Sequence, residues 1–213
     1  MKYRSRFGPL RRNVETKMPK SKIVIYSEGD KTERDYFEAM KRSFCSVIVD
    51  VEVIGGAGAP LTIAMKAIEA AKTTRHQNRK ISYTNRDEFW AVFDRDEHPN
   101  VGDAISRCEA AKVGVAFSDP CFELWLILHF QDFDRLEHRH DVQRHLETLC
   151  ADYNRTRRKT TDCFKLMSLV ASAEQRAERQ LRRRENEGVP PRPPFTTVYK
   201  LTRRIRAVPY DIA

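Results

Sequence analysis

A chain of 213 residues, 40% hydrophobic and 32% charged, is long enough for one full core with a small appendage and too polar for a membrane-embedded protein. No stretch approaches the run of about 18 apolar residues that a bilayer span needs, and the basic N-terminus lacks the apolar region of a signal peptide, so a cytoplasmic protein is expected. The net charge of +9 is unevenly spread, with +6 over residues 1–20, −5 over residues 21–150 and +8 over residues 151–213.

An acidic middle can hold a divalent cation. Basic flanks attract phosphate-rich partners such as nucleic acid, although solvated Arg-rich helix faces explain the ends equally well. The five cysteines are odd in number, widely spaced and never in C-x-x-C. That argues against a disulfide framework or a cysteine zinc site and predicts reduced, mostly buried thiols.

Residues 1–20 have no hydrophobic period and read as a basic arm. Lys22 to Tyr26 is a short β-branched run that ends at Ser27-Glu28-Gly29-Asp30, as a buried strand ends in a turn. A helix is expected from Lys31 to Arg42, with Tyr36, Phe37 and Met40 inward. Val47 to Ile54 is a second strand, broken by Gly55-Gly56-Ala57-Gly58-Ala59-Pro60. Leu61 to Lys72 is a helix, and Arg75 to Arg86 a polar connection. Phe89 to Phe93 is a third strand running into Asp94-Arg95-Asp96, Asp103 to Lys112 a helix, and Val113 to Phe117 a fourth strand. Helices follow at Phe122 to Phe130, Arg139 to Cys150, Lys165 to Glu185 and Thr196 to Arg206, with a stiff proline-rich link at 188–194.

Strands that alternate with helices imply βαβ units, hence an α/β fold with a parallel sheet flanked by helices. Ligands of such sheets bind beyond the carboxyl ends of the strands. Glu28 and Asp94 both lie just past a strand end, and Asp96 points the same way as Asp94 in an extended or turning segment. Three carboxylates gathered at one edge are hard oxygen donors suited to Mg2+ or Mn2+. A core over 21–130, a basic arm over 1–20 and a helical Arg-rich region over 131–213 follow from this pattern.

Other residues carry two readings each. Asp30 and Glu33 fit a helix N-cap with its reciprocal acid, and capping is the reading adopted. Glu123 sits in the nearly apolar run 121–128; it is either a metal ligand or the partner of a buried arginine. Lys31, Arg95 and His98 could hold phosphate or be ordinary surface residues. Arg182, Arg183, Arg184, Arg203 and Arg204 could bind nucleic acid or a protein partner. The histidines at 129, 138, 140 and 145 match no zinc spacing, and the glycine loop at 55–58 is neither a P-loop nor a dinucleotide fingerprint.

Three segments taken in order, Glu28-Gly29-Asp30-Lys31-Thr32-Glu33, Phe93-Asp94-Arg95-Asp96-Glu97-His98 and Pro120 to Phe130, resemble the signatures of RloB-like proteins, and Pro194 to Tyr199 resembles that family's C-terminal helix entry. The likeness spans about residues 21–205. It implies a TOPRIM-like fold related to OLD-type nucleases. Glu28, Asp94 and Asp96 would serve the metal, and Glu123 would be a further acid. It also implies a nuclease of RNA, in some cases tRNA, or DNA within bacterial anti-phage loci, beside an ABC-type ATPase partner. A non-catalytic nucleic-acid-binding or regulatory subunit of such a complex is the alternative, and a phosphoryl or nucleotidyl transferase a third. Oligomerisation is open.

Overall fold

The computed structural model describes residues 21–29, 31–44, 49–80, 87–95, 100–154, 162–188 and 190–207. In chain order its elements are β1 (Ser21–Ser27), α1 (Thr32–Phe44), β2 (Val49–Ile54), α2 (Pro60–Lys80), β3 (Glu88–Asp94), α3 (Val101–Ala110), β4 (Gly114–Asp119), α4 (Glu123–Phe130), α5 (Arg139–Leu149), α6 (Cys163–Met167), α7 (Val170–Glu187), β5 (Phe195–Thr196) and α8 (Val198–Arg206). The expected α/β class is therefore observed. The basic arm, the start of the second strand at Val47 and Ile48, Asp30, Asp96 and His98 lie outside the described residues.

The strands line up as β2-β1-β3-β4-β5. The first four are parallel, with Ile25 opposite Val53 and Trp90, and Ala91 opposite Val115. The chain steps outward from β1 to β2, then crosses back to β3 and on to β4. With right-handed crossovers this puts α1 on one face of the sheet and α2 and α3 on the other. The reversal leaves a crevice between the carboxyl ends of β1 and β3. This order is consistent with the TOPRIM-like arrangement that the resemblance implies.

Three elements differ from expectation. Helix α2 runs on to Lys80 through part of the expected polar connection, because Arg75 reaches across to the Ala111 and Lys112 carbonyls at 2.7 and 3.1 Å. The expected single helix over 165–185 is two, α6 and α7, broken at Ser168 and Leu169. Residues Phe195 and Thr196 form an antiparallel edge strand against β4 before the last helix starts. A two-residue strand leaves no periodic trace; side chains pin it instead. Thr196 Oγ1 lies 3.0 Å from Ser118 Oγ, and Thr197 accepts the Phe117 N–H through Oγ1 at 2.9 Å.

The hydrophobic core is continuous from the sheet into the C-terminal helices and includes Ile25, Phe93, Trp125, Leu146, Ala177 and Leu201. Within it, α1 meets α4 through an aromatic clasp. The Tyr36 ring lies 5.7 Å from Phe122, 6.1 Å from Trp125 and 5.5 Å from His129. His129 Nδ1 is 3.0 Å from the Trp125 carbonyl and its Nε2 is 3.1 Å from the Tyr36 hydroxyl, so the ring serves as donor and acceptor when neutral. Burial pushes its pKa down to about 4, which keeps it neutral there. The described cysteines, Cys108, Cys121, Cys150 and Cys163, form no disulfide with one another. No described helix is long and apolar enough to cross a membrane.

Gly114 shows how closely the sheet is packed. It pairs with Trp90 in register, and a Cβ there would overlap the indole ring. Overpacking of this kind costs about 1–3 kcal/mol. Gly114→Val should therefore lower the denaturant midpoint with the slope unchanged; an unchanged midpoint would show that Trp90 yields freely.

Candidate active site

The crevice between β1 and β3 is where an open parallel sheet presents ligand sites. Glu28 is the first residue past β1, and its N–H donates to the Val92 carbonyl at 3.2 Å, which ties it to the neighbouring strand. Asp94 is the last residue of β3 and is buried. The glycine loop closes over the same edge: Ala57 is buried, and its N–H donates to the Ser27 carbonyl at 3.0 Å. Lys66 Nζ donates to the Ala57 carbonyl at 2.9 Å.

Two further acids come from helix starts. Glu33 stands in the first turn of α1 and is only 7% exposed. Its carboxylate folds back over Gly29, where any Cβ would collide with it. A side chain at position 29 would therefore displace the Glu33 carboxylate from this position. Glu123 opens α4 and is 5% exposed. Its Oε1 accepts from Gln143 Nε2 at 3.0 Å and from the Tyr153 hydroxyl at 2.7 Å. Both of these helices belong to the aromatic clasp. Tyr36 and Phe37 lie three and four residues after Glu33, and Phe122 adjoins Glu123, so the packing that joins α1 to α4 also brings their acids together.

The electrostatics show the convergence directly. Burial first, then the charges of Glu33, Glu123 and Glu28, hold Asp94 well above the ordinary carboxylate range, while the Phe122 N–H works in the other direction. Burial first, with the charges of Glu123 and Glu28, raises Glu33 to about 7 against the N–H groups of Glu33 and Gly29. The leading charged neighbours of both groups are all carboxylates. Asp119, also buried, shows the contrast: burial raises it, but Arg95 Nη1 at 3.2 Å pulls it back.

Of the residues singled out in the sequence, Glu28 and Glu123 lie near enough to Asp94 for their charges to act on it. Asp96 and His98 fall outside the described residues. Glu33, read as a cap, joins the centre as well. The signal was its spacing: Glu33, Tyr36, Phe37 and Met40 form one helical stripe, and the three aromatic and apolar members are fully buried. Among the described residues no three His, Cys, Asp or Glu side chains are arranged to enclose an ion. Glu28 and Asp94 are therefore the described members of the expected ligand set. Both are hard oxygen donors of the kind that suits a divalent cation, and the leading charged neighbours of Asp94 are anionic.

The expected phosphate contacts divide. Lys31 is exposed at the start of α1, and Arg95 is 60% exposed at the edge beside Asp94. The five arginines of α7 and α8 singled out in the sequence are all in ion pairs within the chain. Arg182 is 2.9 Å from Glu178, Arg183 is 3.1 Å from Asp134, and Arg184 holds Asp134 and Glu187. Arg203 is 2.8 Å from Glu178, and Arg204 Nε is 2.7 Å from Glu88.

The raised Glu33 carboxyl makes stability pH-dependent. Its folded pKa of about 7 lies above the reference 4.5, so its contribution is full below about pH 4.5 and is lost as pH rises through 7. The shift corresponds to about 3 kcal/mol. In a chelating buffer, Glu33→Gln should be more stable than the parent by up to about 3 kcal/mol near pH 8 and by little near pH 5. Urea unfolding at both values checks this, and parallel curves for the two proteins would contradict it.

Comparison with known proteins places the chain. No curated protein and no solved structure matches it. A family model described as RloB-like protein matches residues 23–205, a span that starts in β1, ends in α8 and includes all four acids of the centre. The chain belongs to the RloB-like family.

Proposed function

We propose that the chain is a divalent-cation-dependent nuclease that hydrolyses phosphodiester bonds, with the β1–β3 crevice as its active site. One observation carries this reading. Three acids from separate elements, Glu33, Asp94 and Glu123, are buried and Glu28 is half-buried near the switch point of a parallel sheet, and the leading charged neighbours of Asp94 and Glu33 are other acids. Arginine is plentiful in this chain and compensates buried acids elsewhere, as Arg206 does for Glu174 at 2.6 Å. Buried acids such as Asp94 and Glu33, whose leading charged neighbours are anionic, suit a positive ligand at a ligand-binding edge.

Glu28 and Asp94 would hold Mg2+ or Mn2+, with Asp96 completing the set as the D-x-D spacing implies. When bound, the ion supplies positive charge against the negative charge that builds on the phosphate during hydrolysis. Glu33 must give up its proton before the centre can accept positive charge, so cation affinity should fall below about pH 7. Lys31 and Arg95, exposed at the same edge, are placed to hold the phosphates on either side. The basic arm over residues 1–20 would add long-range attraction to nucleic acid. The α7 and α8 arginines would serve architecture, since each is already paired within the chain. Membership of the family supports an effector role in anti-phage defence beside an ABC-type ATPase. RNA, including tRNA, and DNA are both admissible substrates.

The test is cleavage of tRNA, other RNA and DNA with Mg2+ or Mn2+ by the parent and by Asp94→Asn. The variant should lose at least about 100-fold in rate, the scale expected when transition-state charge stabilisation is removed. Full cleavage by Asp94→Asn would remove the centre from the mechanism. Absence of both cleavage and cation binding in the parent would favour a regulatory, nucleic-acid-binding subunit.

A further inference from the structure

We propose that the cavity between α3, the outer edge of β4 and the end of α7 is a nucleotide subsite, in which Arg95 takes the phosphate and apolar walls take the base. The reading goes beyond phosphodiester hydrolysis: it is drawn from the walls of the cavity, and no cation enters it. The cavity has a volume of about 570 Å3. Small-molecule sites are typically about 300–1,000 Å3 and mostly apolar, with a few polar groups that fix orientation.

The space arises where the sheet ends. Strand β5 pairs with β4 only at Ser118 and Asp119, and Val115 lies outside that pairing. Val115 and Phe117 alternate onto the same face of β4, and both line the cavity. Val101, Ile105 and Glu109 recur every fourth residue on α3 and line it as one stripe. Pro190 and Pro191, just after α7, add stiff apolar surface that carries no backbone N–H.

The charged groups on these walls set the class of ligand. Arg95 and Lys200 are cations, Glu109 and Glu185 are carboxylates, and all four line the cavity and are exposed. A wholly apolar ligand would leave those charges unmatched, and a simple anion would leave the apolar walls bare. A nucleotide brings a phosphate for the cations and a flat base for the apolar surface. Adenine, cytosine and guanine also bring an amino group that a carboxylate can accept from.

Arg95 is held in place for this role. Its Nη1 lies 3.2 Å from Asp119 Oδ2, and the Asp119 side chain is 5% exposed while that of Arg95 is 60% exposed. Its backbone N–H donates to the Ser118 carbonyl at 2.9 Å. One nitrogen is thus anchored on a buried carboxylate, and the planar fork keeps further donors for a phosphate. Asp119 is the positioning residue of Arg95. Because Arg95 directly follows Asp94, the subsite adjoins the β1–β3 crevice.

Gly102 supplies a test that spares the fold. It lines the cavity, and a Cβ built there meets nothing within 4 Å. The full chain in EDTA is titrated calorimetrically with AMP, CMP, UMP, adenosine and inorganic phosphate. AMP should bind more tightly than adenosine or phosphate, and CMP more tightly than UMP, whose base has no amino group. Gly102→Phe should weaken AMP binding by about 10-fold or more without lowering the thermal midpoint. Arg95→Gln should weaken AMP by a similar factor and leave adenosine unchanged. Asp119→Asn should act in the same direction as Arg95→Gln. Parent-like AMP binding in Gly102→Phe, phosphate bound as tightly as AMP, or no AMP binding by the parent overturns the subsite. Cleavage of nucleic acid without AMP binding would leave the nuclease reading standing and remove the subsite. AMP binding that Gly102→Phe abolishes, with no cleavage under Mg2+ or Mn2+, would do the reverse.

Discussion

Like charges crowded out of water dominate this structure. Glu28, Glu33, Asp94 and Glu123 each raise, or are raised by, another member of the set. The surrounding fold must hold them together against that repulsion. The folded state does so with neutral donors: the backbone N–H groups of Gly29 and Phe122, the Gln143 amide and the Tyr153 phenol. Neutral donors ease the desolvation of a carboxylate without cancelling its charge.

The rest of the chain treats its acids differently. Glu174, buried at 4% exposure, faces Arg206 at 2.6 Å and accepts from Thr202 at 2.9 Å. This pair joins α7 to α8, as Arg203 does through Glu178. Arg176 donates to the Leu128 and His129 carbonyls at 2.7 and 2.9 Å and so satisfies the end of α4. The C-terminal basic charge that reads as a nucleic-acid surface in the sequence is, in the described residues, largely a set of internal fastenings. They tie α7 to α8, α8 to β3 through Glu88, and α7 to the end of α4, the element that carries Glu123.

The legible parts of the fold share a cause. Short β-branched runs ended by acidic turns at Glu28 and Asp94 announce parallel strands, because a buried strand must be apolar and its carboxyl end is where polar residues can return. Those two acids are placed by strand register alone, so sequence spacing locates them. Helix-borne acids are placed by packing between helices that are distant in sequence. Glu33 resembles a cap until Tyr36 and Phe37 are seen against Phe122, and nothing local ties Glu123 to Gln143 and Tyr153, 20 and 30 residues away. The edge strand at Phe195 escapes for a third reason: two residues define no period, and the pairing is carried by threonine hydroxyls on β4.

This division bears on how the centre tolerates change. The strand acids sit on a sheet with close packing, as Gly114 against Trp90 illustrates, and can shift little without breaking register. The helix acids depend on the Tyr36–His129–Trp125 clasp, in which His129 must stay neutral to accept from Tyr36 while donating to the Trp125 carbonyl. A protonated His129 would lose that acceptor inside a core that has no water to replace it. Its depressed pKa of about 4 keeps the clasp intact through the neutral range. The spacing between the strand pair and the helix pair thus depends on an aromatic contact in which none of the carboxylates takes part. Substitutions in that contact should act on the centre as strongly as substitutions of the acids, although none of its side chains is one of the four carboxylates.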